Sequence, residues 1–98
     1  MIAASSEAFR ASLLKLDRSE QILVLKTVER ILSSKAAIGK PLSAGLRGCR
    51  SIRTGSQGRL RIVFAIPSAE TLQLLAVGPR EDSAVYIQAL QVLRELER

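Results

Sequence analysis

The sequence predicts an α+β domain: an N-terminal antiparallel helix hairpin packed on a three- to four-stranded, mainly antiparallel sheet, closed by a C-terminal helix. Two observations lead there. Apolar residues recur at helical spacing up to about Ser34 and again after Ser83, whereas between Arg50 and Val77 the pattern shortens to the alternation of strands. A chain of 98 residues has surface enough to bury one modest core, so residues 1–98 are read as a single domain.

Ser5 or Ser6 can cap a first helix over about Glu7 to Leu16, in which Phe9, Leu13 and Leu16 fall on one face. Asp17 followed by Glu20 has the form of a capping box, and Ile22, Leu25, Val28, Ile31 and Leu32 carry a second apolar stripe to about Ser34. The link between the helices is short, which predicts the antiparallel hairpin. Gly39, Pro41 and Gly45 then break the helical period.

A strand around Arg50 to Thr54, with Ile52 toward the core, connects through Gly55-Ser56-Gln57-Gly58 to a second strand. There Leu60, Ile62, Phe64 and Ile66 face one way, and Arg59, Arg61, Val63 and Ala65 the other. On this alternation Ser51 and Arg53 share a cationic surface with Arg59 and Arg61. Pro67 to Glu70 reads as a turn, Thr71 to Val77 as a central, well-covered strand, and Gly78-Pro79 as its end. Val85, Ala89, Val92 and Leu96 mark the last helix, with Asp82 or Ser83 as its cap.

Composition narrows the function classes. Hydrophobic residues make up 47% and charged residues 24%, proportions of a folded rather than a disordered chain. The longest apolar runs fall far short of a membrane span, and Met1-Ile2-Ala3-Ala4-Ser5 lacks the basic start of a signal peptide, so a cytoplasmic protein is expected. Lone Cys49 can form no internal disulfide and is read as a buried filler. With no histidine, the usual zinc sets and any imidazole acid–base pair are excluded, and neither metal nor cofactor is expected.

The net charge is +6, and its placement matters more than its size. Between Arg47 and Arg61 stand five arginines among fifteen residues, with no carboxylate to balance them, the footprint of a polyanion partner. Arg47, Arg50, Ser51 and Arg59 are accordingly candidate RNA contacts, the rival reading for the arginines being a solvated face.

Gly39-Lys40-Pro41-Leu42, Leu46-Arg47-Gly48, Ile52-Arg53 and Gly58-Arg59-Leu60-Arg61-Ile62-Val63-Phe64 together resemble the middle of a RelE/ParE superfamily toxin, from type II toxin–antitoxin systems. In Val77-Gly78-Pro79-Arg80-Glu81-Asp82-Ser83-Ala84-Val85-Tyr86, a strand ends in Val-Gly, an arginine follows and a tyrosine opens the last helix, which is similar to the RelE branch. The resemblance spans about Phe9 to Ala89.

It implies a ribosome-dependent mRNA endonuclease that inhibits translation by directing a ribose 2′-hydroxyl onto the adjacent phosphate. Arg61 and Arg80 match the positions that clamp the scissile phosphate, a task for which a forked, permanently charged guanidinium is suited. Tyr86 matches an aromatic that stacks on or orients a nucleotide, and Arg53 a cation that contacts phosphate or polarises the attacking hydroxyl. Some relatives carry a lysine near Ser51, whereas this chain has none after Lys40. The general base is therefore unassigned, with Glu81 a fallback by charge type alone. The implied partners are mRNA on the ribosome, with 16S rRNA contacts, and a cognate acidic antitoxin, with no membrane. Relatives usually begin with a longer strand than Met1 to Ala4 can supply. A ParE-like DNA gyrase inhibitor and a non-catalytic nucleic-acid-binding module stay open as alternatives.

Overall fold

The computed structural model describes residues 2–34, 38–79, 81 and 83–96. Strand β1 (Ile2–Ser5) leads into α1 (Glu7–Leu14) and α2 (Arg18–Ser33); β2 (Lys40–Pro41), β3 (Cys49–Thr54), β4 (Leu60–Ser68) and β5 (Thr71–Pro79) follow, and α3 (Ala84–Leu96) ends the described chain. The sheet runs in the order β1-β5-β4-β3-β2. Only the β1–β5 pairing is parallel; the other neighbours are antiparallel. No described helix is long and apolar enough to cross a membrane.

The sheet thus has five strands rather than the expected three or four. Both additions are edge strands too short to carry a period: β2 has two residues, and β1 gains its place only by lying beside Thr71–Leu74 of β5. Ser6 ties the start of α1 to β5, because its hydroxyl accepts from Phe9 N at 2.9 Å and donates to Leu75 O at 2.8 Å. The turn after β4 is also tighter than expected. Ser68 pairs with Thr71, so the strand runs through Pro67 and only Ala69-Glu70 turns. Helix α1 stops at Leu14, and Leu16 packs on the core from the link.

Each face of the sheet is covered. On one, Ile52, Leu60, Ile62, Phe64, Leu72, Leu74 and Val77 meet Phe9 of α1 and Val24, Val28 and Ile31 of α2. On the other, Cys49, Val63, Leu75 and Ala76 meet Val85, Ala89 and Val92 of α3. Strand β5 supplies both layers, which explains its nearly continuous apolar run. Its register skips Leu75, since Val63 opposes Ala76 while Phe64 opposes Leu74, and this bulge lets Leu75 and Ala76 join the same layer.

Half of the expected capping box forms. Asp17 Oδ1 accepts from Glu20 N at 2.8 Å, but the Glu20 carboxylate does not return to the helix start. Instead it is 3% exposed, and Oε1 accepts from Ser56 N at 3.0 Å in the β3–β4 connection. Its Oε2 has no hydrogen-bond donor and lies 3.8 Å from Arg59 Nε. This carboxylate joins α2 to the loop between the two arginine-bearing strands.

Candidate nucleic-acid interface

Strands β3 and β4 place Arg53 and Arg61 directly opposite one another on the face that carries α3. Cross-strand partners hold their Cβ atoms about 5 Å apart, so two cations here form one concentrated patch. Arg53 is exposed, whereas Arg61 is half-buried. On its other side Arg61 opposes Gly78 of β5, over which the start of α3 passes: a Cβ at Gly78 would lie 3.5 Å from the Val85 Cβ, an ordinary contact distance.

Helix α3 opens with the Ser83 carbonyl accepting from Tyr86 N at 3.0 Å and Ile87 N at 3.2 Å. Val85, Ala89 and Val92 form its buried face, and half-buried Tyr86 packs beside this stripe. Arg61 Nη1 donates to the Tyr86 hydroxyl, and Arg61 Cζ lies 5.6 Å from the Tyr86 ring centroid. Three of the expected site residues, Arg53, Arg61 and Tyr86, are therefore brought together from two strands and a helix. Arg80 as a phosphate clamp, and Asp82 as the helix cap, fall outside the described residues.

The remaining candidates do not join this cluster. Arg59 was expected beside Arg61 by alternation, yet it precedes β4 in a helical backbone conformation, with φ −76° and ψ −10°, and reaches toward Glu20 of α2. Alternation fails because it applies only within an extended strand. Arg50 opposes Phe64, which puts it on the face of α1 and α2. Its Nε and Nη2 donate to Ile38 O at 2.9 Å and Gly39 O at 2.7 Å, pinning the segment before β2. Ser51 has the predicted side but is 4% exposed. Arg47 is exposed at the opposite end of β3 from Arg53. Glu81, the fallback base, is exposed and lines a cleft with Leu16, Arg59, Leu60 and Pro79 that includes none of the three clustered residues.

What the arrangement offers chemically is a pair of permanent cations beside a phenol whose ring and hydroxyl are both fixed. Guanidinium groups suit the spread charge of a phosphodiester, and an aromatic ring suits a base freed from its stack. Gly78 was legible only as a strand end. Its place opposite Arg61 depends on the β4–β5 register.

No protein-family model matches the sequence, and no curated protein matches it. Solved structures do match the fold. A variant of the E. coli toxin RelE with two arginines replaced by alanine, in the free state, aligns at a TM-score of 0.74 with 24% identity, covering 91% of this chain and 93% of that one. The isolated E. coli RelE toxin aligns at a TM-score of 0.65 with 20% identity, covering 93% and 96% respectively. Coverage of nearly the whole of both chains at these TM-scores gives this chain a RelE-like fold.

Proposed function

We propose that this protein is the toxin of a type II toxin–antitoxin pair and that it cleaves messenger RNA on the ribosome in the cytoplasm. The supporting observation is the meeting of Arg53, Arg61 and Tyr86 on one face of a RelE-like fold. In this reading the ribose 2′-oxygen gives up its proton to solvent as it bonds to the adjacent phosphorus, and the bond to the 5′-oxygen of the next nucleotide breaks as that oxygen takes up a proton. The five-coordinate phosphorus carries extra negative charge, which Arg61 and Arg53 stabilise, with Arg80 joining them by resemblance. Tyr86 holds a neighbouring base and keeps Arg61 aimed. The chain has no histidine, so rate enhancement comes from charge stabilisation and alignment rather than from an imidazole base.

The +6 charge suits both RNA and an acidic antitoxin that masks the site until it is removed. Induced expression without an antitoxin tests the reading: growth arrest is expected, together with relief by the double variant R53A/R61A. Arrest that survives the double variant while messages stay intact and gyrase supercoiling fails would favour the ParE-like reading instead.

A further inference from the structure

A second cationic feature lies around the sheet edge from the proposed cleavage face. Lys26 and Arg30 stand one helical turn apart on α2, both exposed, and with Leu23 and Thr27 they form one wall of a groove. Arg53, Thr54, Gly55 and Gly58 form the other wall, and the groove has a volume of about 350 Å³. Its lining, among the described residues, contains three cations and no carboxylate. Among the described residues none of the three is ion-paired. The Thr27 and Thr54 hydroxyls are 2.7 Å apart, one donating to the other, and both lie within hydrogen-bond reach of the Leu23 carbonyl at 3.1 and 3.3 Å, so the floor is satisfied internally and the unspent binding capacity is cationic.

The loop that forms one wall is built on glycine: Gly55 has φ +83° and Gly58 φ +67°, conformations that side chains rarely adopt, and a Cβ at Gly55 would lie 2.6 Å from Glu20 Oε2. Since Arg53 also faces Arg61, one guanidinium borders both the groove and the cleavage face.

We infer that the groove between α2 and the β3–β4 loop is a separate RNA-backbone subsite, in which Lys26 and Arg30 hold a phosphodiester beyond the one at Arg61. This rests on the proposed RNA substrate and adds to it a track for the strand. The phosphate belongs to the message or to ribosomal RNA, and the chemistry of recognition is the same for both. Nothing in it reads a base, so affinity should be salt-sensitive and sequence-tolerant.

The test uses the full chain and a single-stranded 2′-O-methyl RNA oligomer, which cannot be cut, titrated by fluorescence anisotropy over a series of salt concentrations. Ribosome pelleting forms a parallel arm. Removing two phosphate contacts from a single strand lowers the slope of log affinity against log salt by about 1.4. K26A/R30A should show that loss with the oligomer if the groove holds message, or weakened pelleting alone if it holds ribosomal RNA; K26R/R30K should restore either. Unchanged slope and unchanged pelleting in K26A/R30A would overturn the subsite. Cleavage by the wild-type chain is scored separately. A subsite that fails in a protein that still cuts message falls alone, and one that binds in a protein that cuts nothing outlives the cleavage proposal.

Discussion

Arg61 of β4 donates to the hydroxyl of Tyr86, the third residue of α3, with its guanidinium carbon 5.6 Å from the ring centroid. The contact joins the two parts of the molecule that meet at the arginine pair. It also separates two functions of the tyrosine, because the ring and the hydroxyl can be removed independently.

If the hydroxyl aims Arg61, Y86F should keep the fold and the ring while slowing cleavage. A hydrogen bond to a charged group contributes about 1.5–3 kcal/mol, which corresponds to a fall of roughly ten- to a hundred-fold. Y86A removes the stacking surface as well and should fall further. Cleavage rates in a translating extract distinguish the two.

Substitution of Arg61 itself should cost more than loss of its partner. On the proposed mechanism R61A removes a cation that would stabilise the developing phosphorane charge, for which a loss of about 10²–10³ in rate is expected. R61K keeps the charge without the fork and should recover only part of it. Circular dichroism and denaturation midpoints matching the wild type would place the defect in chemistry rather than in folding.

The Glu20 contact predicts a stability effect far from the proposed chemistry. E20A leaves Ser56 N without its acceptor inside the protein, a loss of about 1–3 kcal/mol in urea unfolding. E20Q retains an acceptor and should recover much of it. R59A should cost less, within about 1 kcal/mol, because the Arg59 side chain is 66% exposed and its ion pair is long. G55A should be strongly destabilising, since its Cβ would lie 2.6 Å from Glu20 Oε2 at a positive φ.

Stability should fall at both ends of the pH range, for different groups. The backbone N–H of Glu20, followed by the Ser19 hydroxyl, holds the Asp17 carboxyl below its ordinary 3.8. Its contribution is present above that value and is lost as pH falls through the lower, folded one. Burial raises the Cys49 thiol above its ordinary 9.0, so the neutral form favours folding below that value and the advantage is lost as pH rises through the folded one. Denaturation of D17N and C49A beside the wild type checks each limb: D17N should flatten the acid limb and C49A the alkaline one. Cys49 should resist alkylation near neutral pH until the chain unfolds.

Much of this was legible in the sequence because local rules and the final fold agree. The helices were marked by Ser6 and Asp17 as caps and by apolar stripes, and β3 to β5 by their alternation and by the loop Gly55 to Gly58. Arg53 and Arg61 were placed on one face by parity alone, as their direct pairing confirms. Where the reading departed, a tertiary partner made the decision. β1 exists because β5 offers an edge, Glu20 serves the β3–β4 connection through Ser56 N rather than its own helix start, and Arg59 turns away because it stands one residue before the strand. The groove beside Lys26 and Arg30 joins residues separated by more than twenty positions, so no local motif announces it.

The central claim is that the arginine pair of β3 and β4 serves RNA cleavage, and primer extension on messages recovered from a translating extract addresses it most directly. The account predicts new message ends within translated reading frames when wild-type protein is added, dependent on the presence of ribosomes, and their disappearance with folded R53A/R61A. Messages left intact by the wild-type protein, or cut equally well by the double variant, would contradict it.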